Sequence, residues 1–410
     1  MSLIRIGFNC IRREFRLGLT IFKVFMIFCI VFFALGCNKL EDDEGSDAPA
    51  FYAYNSGAVV VTQASDWSSA AHSIITMDKP RQATNDLSPS GNSDVIVDAY
   101  GDFFYLIERT DANSITRYRI DNPDTVITQF AVENVGDITP ANVHDMVFIN
   151  ETKAYLICYD YSKIWIVNPL ADSAADFKIG EIDISAYGDS DNIPEADRGI
   201  IINGKLFITM QRLNRDNWFS ADNPSYVAVF DVATDEEIDT GQGSDGRKGI
   251  ELSVRNPYSN LEYSNGFIYL AAVGDWAGNY SGIQRINASN YEVDASVIHE
   301  DHITTDVAIV SSTIGYFIDY VNWGNMRLRS FNPSSKEIDT DNVGKIGDSL
   351  DWNLEDIAVD SSGNLWVSDR SINHAGIYVI DPSTNEIEEG PISTNLYPGM
   401  IVFCTSTIVY

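Results

Sequence analysis

The sequence predicts an all-β fold, a seven-bladed β-propeller of four-stranded blades whose ring is closed by the N- and C-terminal strands. Three observations support this prediction. From Phe51 onward, short runs rich in Val, Ile, Tyr and Phe alternate with clusters of Gly, Asn, Asp, Pro and Ser, without useful helical periodicity. A turn motif recurs along the chain. An acidic residue at the start of an apolar run recurs in step with it.

The turn motif is an apolar run that ends in Asp or Asn, often followed by Pro or a small polar residue. Its Asp and Asn positions, separated by 47, 63, 56, 45 and 49 residues, are Asp121, Asn168, Asp231, Asn287, Asn332 and Asp381. Asp and Asn side chains bond the backbone two residues on, and Pro presets the turn. Repeats of this length are typical of propeller blades.

The acidic residue marks the first of four runs in each repeat. These residues are Asp94, Asp145, Asp306 and Asp356, with Asp197 as a looser copy. Six complete repeats occupy Ser93 to about Ile392, which leaves two strand-rich ends that are each too short for a blade. We expect these ends to combine, with residues 400–403 as the innermost strand and residues 58–61 among the outer ones, because a closed ring hides its sheet edges.

The first 36 residues have the order of a secretory signal: basic residues, then an apolar run from Val24 to Leu35. The run ends in Gly36 and Cys37, and an acidic segment of small residues follows. This order resembles the lipobox of bacterial lipoproteins, which implies cleavage before Cys37 and lipidation of that cysteine. The expected organisation is a signal peptide over 1–36, a flexible tether over 37–50 and a propeller over 51–410. An uncleaved anchor helix over Leu17 to Gly36 is the alternative.

The charge of the chain argues against nucleic acid as a partner. Its formal net charge is −32, and removal of the signal, with five basic residues and one acidic residue, leaves 22 basic against 58 acidic residues. Such a surface repels phosphate backbones. We expect a location in the bacterial cell envelope, on the periplasmic side or at the cell surface, with a lipid anchor in the membrane. Cys158 and Cys404 are expected to be two separate buried thiols, because each lies in or beside an apolar run.

Two segments of the last repeat resemble the YVTN and NHL types of propeller repeat. They are Tyr378 to Thr384 (YVIDPST) and Asp356 to Val367, which ends DSSGNLWV. The resemblance covers nearly all of the expected mature chain and is degenerate around Leu261 to Asn287. It implies the propeller fold but leaves the function open, because these families contain lactonases, lyases, ligand binders and adhesion proteins.

One face of the expected propeller collects candidate metal ligands, because each inner strand starts where each second strand ends. The acidic strand starts Asp94, Asp145, Asp197, Asp306 and Asp356 would ring the mouth of the central channel. They could hold Ca²⁺ or Mg²⁺, which bind oxygen ligands, or they could cap backbone amides of the preceding loops. His144, His299, His302 and His374 lie near the same mouth, either as further metal ligands or as solvated or loop-packing side chains.

Three enlarged loops on the same face each contain a tryptophan: Trp218, Trp276 and Trp323. Rings beside carboxylates and arginines suit sugars or aromatic ligands, and Arg109, Arg212 and Arg370 are the candidate arginines. Alternatively, the rings only pack the long loops. No catalytic motif is recognisable. We therefore expect a binding or scaffolding module for a protein, glycan or small molecule, with a metal-dependent enzyme of lactonase or lyase type as the alternative.

Overall fold

Seven antiparallel sheets make up the part of the chain that the computed structural model describes, residues 56–110, 112–133, 140–322, 325–340, 343–345 and 353–405. The predicted signal peptide, the tether, Cys37 and Trp323 lie outside these residues. Within the described part, no helix is both long enough and apolar enough to cross a membrane.

The first strands along the chain belong to the blade that closes the ring and to the first three complete blades. The closing blade contains β1 (Ser56–Gln63), β2 (Ala70–Ile75) and β3 (Ala83–Ser90). Blade 1 contains β4 (Val95–Tyr100), β5 (Phe103–Glu108), β6 (Ser114–Arg119) and β7 (Thr128–Ala131). Blade 2 contains β8 (Val143–Asn150), β9 (Lys153–Cys158), β10 (Lys163–Val167) and β11 (Lys178–Asp183). Blade 3 contains β12 (Ala196–Ile202), β13 (Lys205–Met210), β14 (Tyr226–Asp231), β15 (Glu236–Glu237) and β16 (Ile250–Glu251).

The remaining strands form blades 4 to 6 and the innermost strand of the closing blade. Blade 4 contains β17 (Glu262–Ser264), β18 (Phe267–Ala272) and β19 (Gly282–Asn287). Blade 5 contains β20 (Thr304–Ile309), β21 (Gly315–Asn322), β22 (Asn325–Phe331) and β23 (Ile338–Thr340). Blade 6 contains β24 (Leu354–Val359), β25 (Leu365–Asp369), β26 (Gly376–Asp381) and β27 (Glu386–Ile392), and the last strand is β28 (Tyr397–Thr405). The helices are short: Ala174–Phe177, Ser185–Tyr187, Arg215–Asn217 and Val343–Lys345.

The ring closes as the sequence predicts. The closing blade, which we number blade 7, has the strand order β28-β1-β2-β3, so its innermost strand comes from the C-terminal segment and its other strands from the N-terminal segment. The antiparallel pairing runs from Ser56 opposite Thr405 to Gln63 opposite Tyr397. The prediction of seven blades is therefore confirmed.

Each interface between adjacent blades contains its own apolar cluster. Val59 and Val61 of β1 pack toward blade 1, whereas Ala58 and Val60 pack toward blade 6. Successive residues of a strand point to opposite faces of its sheet, and here both faces are covered by a neighbouring blade. This explains the apolar runs in the sequence, because a strand buried on both sides has little need for polar residues.

Blade 4 departs from the regular pattern, in the region where the resemblance to propeller repeats is degenerate. Its sheet has three strands, and the outer edge of β19 is paired by two isolated bridges, Ile283 to Ile298 and Ile286 to Val293.

Cys158 and Cys404 are free and buried, which confirms the expectation of two separate thiols.

Candidate functional site

The two faces of the disc are built differently. The loop face carries the connections from second to third strands and from each blade to the next, and the turn face carries the other connections. The enlarged loops at residues 211–225 and 273–281 are second-to-third connections, so both lie on the loop face. The predicted tryptophan loops of blades 3 and 4 therefore share one face.

A β-bulge opens the inner strand in four blades. The register shifts between Val143 and Asp145 in blade 2, and equivalent shifts occur in blades 3, 5 and 6. A bulge bends the strand and re-aims its side chains. Adjacent residues consequently have different partners: His144 bonds the Asp197 side chain, whereas Asp145 accepts from the Gly199 amide.

Three of the five predicted acidic residues link neighbouring blades. Each accepts a hydrogen bond from an amide of the next inner strand: Asp145 from Gly199 at 2.7 Å, Asp306 from Ile357 at 2.9 Å and Asp356 from Ile401 at 2.8 Å. Asp98 makes the same contact with Met146 at 2.9 Å. We call these four carboxylates the inter-blade clasps. They cap backbone amides, but the donors belong to the next blade rather than to the preceding loop.

Burial dominates the electrostatics of the clasps. It raises the pKa of Asp145 to about 6 and that of Asp356 to about 7, because a charged carboxylate is disfavoured away from water. The pKa values of Asp98 and Asp306 are raised well above the usual range by burial and, second, by the neighbouring clasp carboxylate. The guanidinium of Arg198 partly offsets burial at Asp145.

Asp94 and Asp197 instead belong to a polar network at the channel mouth. Arg109 donates from Nε to Asp94 Oδ1 at 2.7 Å. His144 Nδ1 lies 2.6 Å from Asp197 Oδ1, and the imidazole stacks on Tyr159 at 4.1 Å between centroids. Burial lowers the pKa of His144, which favours the neutral ring. With Nδ1–H donating to Asp197, Nε2 is left as an acceptor facing Arg109 Nη1 at 3.4 Å.

Of the other predicted histidines, two lie together in the connection between blades 4 and 5, and His374 lies in blade 6. His299 Nε2 is 3.2 Å from Asp319 Oδ1, and its ring stacks on His302 at 4.2 Å. His374 Nδ1 is 2.7 Å from Asp369 Oδ2. Among the residues that the structure describes, no group of three or more His, Cys, Asp or Glu side chains is placed to hold a metal ion.

The predicted arginines have different surroundings. Arg109 and Arg370 lie at the channel mouth, where Arg370 Nη1 pairs with Glu355 at 2.6 Å. Arg212 is buried and donates to the carbonyl oxygens of Tyr187 at 2.7 Å and Pro224 at 2.8 Å. Arg212 therefore joins its own loop, through Pro224, to the connection between blades 2 and 3, through Tyr187. Arg370 is also buried, and its Nε donates to the Pro398 carbonyl at 3.0 Å.

Exposed aromatic side chains concentrate on the loop face. Within the described residues, six of the seven are there: Trp67, Trp218, Phe219, Tyr258, Trp276 and Tyr280. The seventh, Tyr263, belongs to β17. Sequence reasoning identified two of the six and missed the others, although each lies in a connection that the strand pattern assigns to this face.

Side-chain contacts join the rings of blades 3 to 5. Trp276 meets Tyr258 edge-on at 6.1 Å and Tyr320 edge-on at 6.0 Å. The guanidinium of Arg255 covers the Tyr280 ring at 3.9 Å, and Arg255 also donates to the Ala221 and Asp222 carbonyls of the neighbouring loop. We refer to Trp218, Phe219, Tyr258, Trp276, Tyr280 and Tyr320 as the aromatic surface.

The loop that carries Trp218 is ordered around one carboxylate. Asp222 Oδ2 accepts from Asn214, Asn217 and Ser220 at 2.7 to 3.1 Å, and these bonds lower the pKa of Asp222. Trp218 is 94% exposed and has a left-handed φ of 57°. A bulky residue in this conformation costs about 1–3 kcal/mol. The loop thus holds a tryptophan in water although neither its backbone nor its ring gains from that position.

No family model and no curated protein matches the sequence. Among solved structures, the chain is similar to virginiamycin B lyase from Staphylococcus aureus, with 14% identity over 76% of this chain and 90% of that chain, at a TM-score of 0.49. The β-propeller domain of the Trilobed protease from Pyrococcus furiosus is 10% identical over 77% of this chain and 92% of that chain, at a TM-score of 0.42.

A third similar structure is the extracellular domain of a putative hybrid two-component system from B. thetaiotaomicron. It is 13% identical over 76% of this chain, at a TM-score of 0.47. This chain spans only 35% of its length. At such identities the similarities concern the fold alone, and they carry no argument about function.

Proposed function

We propose that this protein is an envelope-anchored binding module that engages its ligand through the aromatic surface. The observation that carries the proposal is the exposed Trp218, held out by a hydrogen-bonded loop with a left-handed backbone. Strained backbone that a surrounding network maintains is characteristic of ligand-contacting sites. Aromatic anchors of this kind supply much of the binding free energy at protein interfaces.

Contacts between the loops support a single continuous site. Arg255 ties the loop of blade 3 to that of blade 4, and Trp276 ties blade 4 to Tyr320 of blade 5. A surface that is already ordered loses little conformational entropy on binding. The aromatic surface is therefore suited to a ligand that spans several blades.

The envelope attachment in this proposal rests on the predicted lipidation of Cys37. The anchor itself is tested by Cys37→Ser, which should move the protein from the membrane fraction to the soluble fraction.

The binding proposal is tested by screening the full chain against glycan and peptide arrays, and then repeating each hit with Trp218→Ala and Trp276→Ala. Tyr263→Ala is the matched control, because Tyr263 is an exposed ring outside the aromatic surface. Hits lost in the tryptophan variants and kept in the control support the proposal. Hits unaffected by all three variants place the binding elsewhere and contradict it.

The alternative, a metal-dependent lactonase or lyase, requires several ligands at one point. Its proposed ligands are Asp94, Asp145, Asp197, Asp306, Asp356, His144, His299 and His302. Titration with Ca²⁺ and Mg²⁺ tests it directly. Saturable binding that is lost in Asp94→Asn but kept in Asp172→Asn, an exposed carboxylate on the turn face, would favour the enzyme.

A further inference from the structure

The basic side chains in the loops around the aromatic surface are held by contacts within the protein. The loops of this face over residues 211–225, 252–261, 273–281 and 299–303 contain no lysine and only three arginines. Arg212 is buried against carbonyl oxygens. Arg215 pairs with Asp160 at 2.7 Å and Glu195 at 2.6 Å. The third arginine, Arg255, is stacked on a ring as described above.

Carboxylates of the same loops point the other way. Asp216, Glu300 and Asp301 are exposed, and no hydrogen bond or ion pair joins their side chains to another described residue. A ligand therefore meets aromatic rings and uncompensated negative charge. That combination favours a cation, since an ammonium or guanidinium group is attracted both to a carboxylate and to the face of an aromatic ring.

A cleft in the aromatic surface offers both groups together. It has a volume of about 500 Å³ and is lined by Tyr280, Asn279 and Val297 together with Glu300 and Asp301. The cleft is large enough to receive an entire side chain with its flanking atoms.

The chain itself shows that such a ring accepts a guanidinium. Arg255 covers Tyr280 at 3.9 Å, and Arg215 lies over Phe219 at 5.3 Å. Both distances are within the range of cation–π attraction. A basic side chain that arrives from outside would meet Tyr280 on the part that Arg255 leaves uncovered, since the residue is 47% exposed.

We propose that the aromatic surface binds a basic polypeptide segment, with one Lys or Arg side chain entering the cleft beside Tyr280, Glu300 and Asp301. The inference rests on the proposed function and specifies its ligand. The extent of the surface favours a polypeptide over a small amine, because its rings are spread over three successive blades. A small amine would fill only the cleft and leave Trp218 uncovered.

The test measures fluorescence anisotropy of labelled decapeptides that alternate Gly with Lys, Gln or Glu, using the full chain in detergent. We expect the Lys peptide to bind and the Gln and Glu peptides not to bind. Glu300→Gln with Asp301→Asn should weaken the Lys peptide by about fivefold or more, because two uncompensated charges are removed from the cleft. The affinity should also become less sensitive to NaCl.

The matched control tests whether the Lys peptide is attracted only by the net charge of the whole chain, which is −32. Glu151→Gln with Glu236→Gln removes the same charge from exposed positions at the turn face, and it should leave the affinity within about twofold. Equal weakening by the two double variants would mean unspecific attraction and would overturn the inference.

Tyr280→Leu in an Arg255→Gln background, compared with Arg255→Gln alone, separates the ring from the charge, because Arg255 is stacked on Tyr280. It keeps both carboxylates and should still weaken the Lys peptide, by about threefold or more, while the melting temperature confirms that the variant is folded. A neutral ligand that depends on Trp218 and Trp276, with no binding of the Lys peptide, would overturn this inference and leave the proposed function standing. Array hits that are independent of both tryptophans would instead contradict the proposed function.

Discussion

The inner strands and the loops of blades 3 to 5 both present acidic side chains, but they use them in opposite ways. The inter-blade clasps are buried and accept amide hydrogen bonds from the next blade. Glu300 and Asp301 are exposed and have no partner among the described residues. Position within the blade decides the difference, because a strand start is covered by its neighbour whereas a loop tip is not. The acidic residues at strand starts therefore indicate how neighbouring blades are joined more directly than they indicate a ligand site.

Removal of β28 should have the largest effect on the stability of the ring. Deletion of residues 397–410 removes the innermost strand of blade 7 and exposes the edge of β1. It also removes the amide donor at Ile401 for the Asp356 clasp. We expect loss of the cooperative thermal transition seen by circular dichroism. An unchanged melting temperature would contradict closure of the ring by this pairing.

Substitution of one clasp should have a smaller but clear effect. Asp306→Ala leaves the Ile357 amide buried without its acceptor, which costs about 1–3 kcal/mol of unfolding free energy. Asp216→Ala, which removes an exposed carboxylate from the loop that carries Trp218, is the control and should stay within about 0.5 kcal/mol. Urea denaturation measures both. Equal stabilities for the two variants would show that the amide bond contributes nothing to the ring.

The pH dependence of stability sharpens the same distinction. The raised pKa of Asp356, about 7, means that the folded state holds this proton more tightly than the unfolded chain, where carboxyls titrate near about 4. The stabilising contribution is complete below about pH 4 and is lost as the pH rises through about 7. Asp356→Asn should flatten the rise in unfolding free energy between pH 8 and pH 5. A parallel pH profile for the variant would contradict the assignment.

Much of the fold was predictable because its signals are local. The Asp and Asn turn positions and the acidic strand starts mark each repeat, and the two short ends could only form a blade by pairing with each other. Blade 4 was the weak point, since β17 has only three residues and bridges replace the outer strand. No local signal marks such a reduced blade.

The roles of the site residues were less predictable, because they depend on contacts between blades. Nothing near Asp145 in the sequence identifies Gly199 as its donor, 54 positions away. Asp98 was missed because it lies inside a strand rather than at its start. Phe219 and Tyr280 lie in the same loops as Trp218 and Trp276, but the sequence prediction named only the tryptophans of these loops.

Trp218→Ala is expected to change stability least. It tests most directly whether the exposed loops serve ligand binding. The ring is 94% exposed, so its removal opens no cavity and should leave the melting temperature within about 2 °C. If a bound ligand covers the Trp218 ring, the same change should weaken binding by about 1 kcal/mol or more, which is about fivefold. Anisotropy titrations and thermal melts on the same samples measure both quantities. Parallel losses of stability and affinity would identify Trp218 as a packing residue, and loss of neither would remove it from the binding site.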